Sequence, residues 1–361
     1  MADDKAAAPN VEIYVDGTKI RDSAFLSYTV ERDMFQPDMA SIVLSNQGDN
    51  HSKTKMGGTI EIKVGDNSTS IYKGEVVGVE PSYKGGEKSR VLIRAMNKMH
   101  RLLRKRKSMT FTDKTDQQIL QQVVSDHGLT LDWKHEKSIT YKHVYQHNQT
   151  DMEFLRMRAA RMGCHVWCVD TKIYCKQPDL QAAPIMELKI DESSKEGALR
   201  SFSPRVTSAP ILKKMTVKGW NPETKELIQG EYEMQASSLG SANAVQGSGD
   251  MGENEGFSVD EPIWSKEEAD ALAKAKLVDL SLQHMTGEAE VSGDPAFDLG
   301  KIVKIAANAD PDASPGDDPF NGKYYIMGIT HRHAGSARGG GNSKASGYTT
   351  ILRLARDAQK A

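Results

Sequence analysis

Aromatic residues are scarce in this chain: Phe, Trp and Tyr make up 6% of it, and Trp occurs 4 times. A barrel that recognised glycans or receptors by stacking them on rings would need more, which counts against that class of function. An excess of basic charge is missing too. The formal net charge is −2, whereas a dedicated nucleic-acid binder carries a strong positive balance. No apolar run approaches the roughly 18 residues that span a bilayer, so no membrane insertion of its own is expected. The opening "MADDKAAAPN" has neither the basic start nor the apolar stretch of a Sec signal. Cysteine occurs 3 times, an odd number that makes no secreted disulfide framework and fits synthesis in a reducing cytoplasm. Catalytic signatures are absent as well. There is no nucleophile elbow, no His-Glu-x-x-His and no convincing carboxylate pair, so no catalytic residue and no cofactor is assigned.

What is present reads mainly as strands. "VEIYVDGTKI" alternates and turns at Asp16-Gly17; "ASIVLS", "GTIEIKVGDNSTSIYKGEVVGVEPSY" and "SRVLIRAM" follow, each bounded by turn residues. Short strands at this spacing suggest a barrel or sandwich. From His100 the grammar changes. "TDQQILQQVVSDHG" opens with a Thr115-x-x-Gln118 capping box and stops at Gly128, and "TDMEFLRMRAARMG" repeats the pattern from Thr150 to Gly163. A third such helix runs from Ser265 to Gly287, after a Ser-, Gly- and Asn-rich stretch, Ala236 to Gly256, that reads as mobile.

One internal similarity stands out. Gly57 to Ala95 resembles Leu299 to Ala355: a glycine, an alternating strand, a Gly-led strand, a Gly/Lys-rich turn and a closing strand with arginine, with longer loops in the second copy. Loop growth on a kept strand frame is cheap in closure entropy. The expected fold is therefore mainly β with α+β character: two related β-barrels joined by an α/β domain. The expected boundaries are 1–8 for a flexible N-terminus, 9–99 for the first barrel, 100–182 for the α/β domain, 183–220 with 287–361 for the second barrel, and 221–286 for an inserted loop and helix.

The remaining motifs have bland explanations. In "CHVWCVDTKIYC" a two-residue turn at Asp170-Thr171 puts Cys164, Val166, Cys168, Ile173 and Cys175 on one hairpin face. His165, Trp167 and Tyr174 then lie on the other. At most three ligands could converge, short of a structural zinc site, and free cysteine packs as a small hydrophobe. No metal is assigned here, nor to the pair His331 and His333, nor to the acidic loop at Asn308 to Pro319. "ARGGGNSKASG" lacks the context of a phosphate cradle and reads as a loop. The basic run "RLLRKRK" has no interleaved aromatics; Arg101, Arg104, Lys105 and Arg106 are candidates for a solvated face or a salt-bridged surface between subunits.

The segment "YQHNQTDMEFLRMRAARMG" resembles the signature of the phage late control D family, the baseplate hubs of contractile tails, related to the N-terminal part of type VI secretion VgrG spikes. The residues that carry the resemblance are Gln146, Asn148, Thr150, Asp151, Phe154, Leu155 and Gly163. "SKEEADALAKAKLVDLSLQHMTGEAEVSGDPAFDLGKIVKI" and "GKYYIMGITHRH" are similar to its later segments. The resemblance implies a ring-forming homotrimer in which each chain supplies two barrels. Its pseudo-six-fold surface would match a hexameric inner tube or tube-initiator protein on one side and a three-fold spike protein on the other, among other baseplate proteins. The chain stops at Ala361 without a needle region, which points to a separate spike chain and to a phage tail or extracellular injection particle. A type VI VgrG-like fragment and a receptor- or glycan-binding tail module are the alternatives.

Overall fold

The computed structural model describes residues 10–46, 50–83, 85, 89–190, 197–221, 224–259, 262–307, 318–334 and 347–359. The expected flexible N-terminus at 1–8, most of the acidic loop at 308–319 and most of the Gly-rich loop at 337–347 lie outside them.

The first ninety-odd residues form strands β1 (Val11–Val15), β2 (Thr18–Lys19), β3 (Phe25–Asp33), β4 (Met39–Ser45), β5 (Thr59–Val64), β6 (Thr69–Ser82) and β7 (Arg90–Met96), with one helical turn, α1 (Asn50–Lys53), before β5. Alternation does what it should. Ile60, Ile62 and Val64 of β5 face inward, as do Val91, Ile93 and Ala95 of β7, onto a core shared with Ile42 and Leu44. The lateral order is β2-β1-β5-β6-β7-β4-β3. This half differs from expectation: among the described residues β1 and β3 do not pair, so the sheet curls without closing into a barrel.

Next come β8 (Arg106–Thr115), α2 (Asp116–Ser125), β9 (Thr130–Lys134), β10 (Thr140–Thr150), α3 (Asp151–Arg161), β11 (His165–Val169) and β12 (Lys172–Lys176). Both helices carry the full capping box, Thr115 with Gln118 and Thr150 with Glu153. Ile119, Leu120, Val123 and Val124 of α2 are buried against Phe154, Leu155 and the hairpin β11–β12.

The last part holds β13 (Glu187–Ile190), β14 (Ala198–Val206), β15 (Lys214–Asn221), β16 (Glu226–Glu233), β17 (Ala242–Asn243), α4 (Ala244–Ser248), β18 (Glu255–Ser258), α5 (Lys266–Ser281), β19 (Met285–Ser292), β20 (Ile302–Ala306), β21 (Gly322–Ala334), β22 (Thr349–Arg356) and β23 (Ala358–Gln359). Here the sheet does close: β13-β14-β19-β22-β21-β20 returns to β13, a six-stranded barrel. Two expectations are corrected. Lys214–Asn221 does not belong to the barrel but pairs with β16 and β18 under α5. The Ala236 to Gly256 stretch, read as mobile, is largely built: Asn243 caps α4 through its own capping box, and β17 pairs with β23.

Candidate functional site

The signature segment sits at the end of β10, where the ladder with β8 slips between Gln146 and Gln149. Asn148 occupies that slip with φ 44°, a left-handed conformation asparagine tolerates, and its N–H donates to Ser108 Oγ at 3.1 Å. Gln146 is fully buried and donates from Nε2 to the Gln149 carbonyl at 3.1 Å and to Asp151 Oδ1 at 3.0 Å. Asp151 also pairs with His127 Nε2 at 2.7 Å and Lys107 Nζ at 3.1 Å. Phe154 stacks on Phe111 with centroids 5.7 Å apart, and Leu155 is buried beside it. Gly163 ends α3 at φ +62°, and a Cβ there would stand 3.1 Å from Ala275 Cα of α5. These residues brace the α/β unit, and of them Gly163 also borders a cleft beside α5.

The cysteine hairpin follows the alternation. Cys164, Cys168 and Cys175 are free, buried and packed beneath α3. Burial pushes the Cys168 and Cys175 thiols well up, away from the reactive thiolate. Trp167 faces the barrel core with Tyr174 stacked on it at 5.1 Å. His165 meets the Tyr325 hydroxyl at 3.0 Å, and burial lowers its pKa to about 4. Among the described residues no three His, Cys, Asp or Glu side chains converge as metal ligands would.

Two of the four basic-run residues are committed within the chain. Arg101 forks onto Glu75, which His100 Nε2 also meets at 3.0 Å. Arg106 donates to the Asn148 carbonyl at 2.7 Å and to Glu153 at 2.8 Å. Among the described residues Arg104 reaches His100, at 3.3 Å, and Lys105 is exposed.

A cleft of about 980 Å³ opens between β10, α3 and α5, lined by Tyr145, Met157, Arg161, Trp264, Leu272 and Asp279 among others. Its buried Glu268 accepts from Arg161 at 2.6 Å and from the Trp264 N–H at 2.9 Å. Each oxygen of that carboxylate thus holds one donor.

The feature that sequence reasoning missed is a seam. β3 pairs antiparallel with the outer part of β21, from Gly328↔Asp33 to Ala334↔Ser27, so the open half and the barrel are one 13-stranded sheet. Arg32 is buried in this seam between Asp38 at 3.3 Å and Asp298 at 2.8 Å. Arg353 pairs across it with Asp33. His331 Nδ1 meets the Tyr348 and Thr350 hydroxyls at 2.8 and 3.1 Å, and burial lowers its pKa to about 3. His333 stacks against both Phe25 and Tyr28, whose rings also touch each other. The two histidines do share a surface, with rings and hydroxyls as company.

The seam joins two copies of one unit. The order β5-β6-β7-β4-β3 matches β20-β21-β22-β19-β14, antiparallel throughout in both, while the sixth strand differs: β1 runs antiparallel to β5 and β13 parallel to β20. Gly57 and Gly300, at φ +77° and +76°, each donate to the strand opposite, to Val76 and Ile326. Two residues on, both ladders slip by one residue and set a glycine against an arginine, Gly78↔Arg94 and Gly328↔Arg353. β3 and β14 share a slip as well, after Phe25 and after Leu199.

Residues 5–334 match the Alg8 N-terminal domain family. The chain belongs to that family. Comparison with the curated proteins gives no match. Among solved structures, this Alg8 N-terminal domain protein is similar to a tail protein from Neisseria meningitidis MC58, at 14% identity, TM-score 0.70 and 97% coverage of both chains. It is similar to the 43 kDa tail protein of prophage MuSo2 from Shewanella oneidensis, at 13% identity and TM-score 0.68, covering 98% of this chain and 100% of that one. An E. coli protein described as a component of the type VI secretion system shares the fold at 10% identity and TM-score 0.61, with 95% and 76% covered. At these identities the likeness is one of fold.

Proposed function

We propose that the chain is the structural hub subunit of a contractile tail or injection particle of the late control D type, a homotrimer without catalytic role. The observation that carries this reading is the repeat: two units that share five antiparallel strands in the same order, two ladder slips and a Gly–Arg rung lie side by side in one sheet. Three such chains present six near-equivalent units around a three-fold axis. A surface of that symmetry can meet a hexameric inner tube or tube-initiator protein on one face and a separate three-fold spike protein on the other. A head-to-tail contact that closes is what generates a ring. The fold shared with phage tail proteins supports the setting, and Arg104 and Lys105 remain candidates for the contact surface. The first unit, the α/β unit with its signature residues, and the barrel would act as three parts of one rigid body, assembled into the particle from the bacterial cytoplasm.

Light scattering of the purified chain, alone and mixed with the spike and tube proteins encoded beside it, tests the reading. A particle of three times the 39.8 kDa chain mass that captures both is expected. A monomer that ignores both overturns it.

A further inference from the structure

The intrachain seam supplies a template for contacts between copies. In the barrel, β20 covers only the first part of β21, and β3 takes the rest of that edge. In the first unit β5 covers only Thr69 to Glu75 of β6. The remainder of that edge, from Gly78 to Ser82, has no ladder partner among the described residues. The strand equivalent to β3 is β14. Beyond Leu199 its edge away from β19 is likewise unladdered among the described residues. Each chain thus carries one unfilled socket and one unfilled strand, on different units.

We infer that β14 of one copy docks on the outer edge of β6 of the next, repeating the β3–β21 seam and closing the ring. This rests on the homotrimeric reading above and names its interface.

The register follows from the matched slips. Gly328 corresponds to Gly78, and Glu31, opposite Met39, corresponds to Arg205, opposite Thr286. The template rungs Ile329↔Arg32, Thr330↔Glu31 and His333↔Tyr28 then become Val79–Val206, Glu80–Arg205 and Tyr83–Phe202. These three transferred rungs are chemically matched. Val206 is 43% exposed in the single chain, which an apolar partner on the next copy would relieve. Glu80 and Arg205 are exposed and opposite in charge, and Glu80, which holds Arg94 of its own chain at 2.6 Å, would share its carboxylate between the two arginines. Tyr83, 67% exposed, would lie over Phe202 as His333 lies over Tyr28 at 5.8 Å. Between them Ser82 meets Ser203 and Pro81 meets Pro204. Neither proline has an N–H, so that rung forms no backbone bond and neither edge invites a foreign strand. The contact is heterologous, one strand edge against a different one, as a closing ring requires.

Residues opposite each other in an antiparallel ladder have Cα atoms about 4.5–5.5 Å apart, within disulfide reach. The test is the double variant Glu80→Cys/Arg205→Cys, oxidised with diamide and run on a non-reducing gel. The native cysteines are all buried and should stay silent. Reducible covalent dimers and trimers are expected, with none from either single variant. If the protein scatters as a trimer yet gives no cross-linked species, this interface is wrong and the hub reading stands. If it scatters as a monomer, the hub reading itself fails. A cross-link confined within one chain also overturns the interface. Should the cysteine variant misfold, Arg205→Glu serves instead. It should weaken assembly roughly three- to ten-fold, and adding Glu80→Arg should restore it. No loss with Arg205→Glu, or no rescue, sinks the proposal.

Discussion

Arg32 shows how much one side chain can hold at a seam. Its guanidinium is buried between Asp38 and Asp298, and the Asp38 carboxyl, pushed up to about 7 by burial, depends on it for compensation. Truncating one member of a buried pair leaves the other charge unpaired, so Arg32→Ala should cost about 3–5 kcal/mol in denaturant unfolding. The histidines give the pH dependence. His331 and His165 titrate near 3 and 4 in the folded chain, below the ordinary 6.5. Between those values the unfolded chain binds more protons, so their contribution is complete above about pH 6.5 and drains away as pH falls towards 4. Asp38 works in the opposite sense over a similar window, because its raised pKa makes acid favour the fold. The melting temperature should therefore fall on acidification in the native chain and fall less in His331→Gln. An equal fall in both would remove His331 from the account. None of this was legible in the sequence beyond the His331-x-His333 alternation, since Arg32 and Asp298 lie far apart in the chain and only the folded seam joins them.

At the scale of elements the sequence was far more informative, because helix caps are local. Thr115, Gln118, Thr150 and Glu153 announced α2 and α3, and the structure forms both boxes. Thr150→Ala should cost about 1 kcal/mol by stripping the cap, measured as a shift in denaturation midpoint. Gly163→Ala should cost more than a cap. Its φ of +62° is unfavourable for alanine and the new methyl meets α5 at Ala275, so the strain cannot be relieved by a side-chain move. The cysteine hairpin was legible for the same reason, as period-two alternation across a two-residue turn fixes both faces. The repeat was legible only coarsely. Matching the two strings by length sets Gly58 against Gly300, whereas the hydrogen bonds match Gly57 to it, and Val303 and Ile305 then take the places of Ile60 and Ile62. A one-residue slip is hard to see in a pattern of apolar residues when they fall on both faces of a strand, as Ile302 and Val303 do in β20 before exposed Lys304.

At the scale of the whole molecule, closure separates the two units. β13 and β14 pair through Lys189↔Ala198 and Ile190↔Leu199, which turns six strands into a barrel; β1 and β3 do not, and β3 is spent instead on β21. Sequence patterning cannot show such a choice, because an edge strand and a seam strand alternate alike. With the proposed contact between copies there would be two seams of unequal strength. The one within the chain has a ladder from Asp33 to Ser27 with Arg32 buried across it. The one between copies would have a rung without N–H groups and exposed charges at Glu80 and Arg205, which salt screens. Dilution or roughly 1 M salt should accordingly break the ring before the fold. Light scattering should show monomers while far-UV circular dichroism stays that of the assembled protein, and Arg32→Ala should lower the melting temperature of those monomers. If scattering and circular dichroism change together, the copies are joined as tightly as the halves of one chain, and the inequality of the two seams is lost.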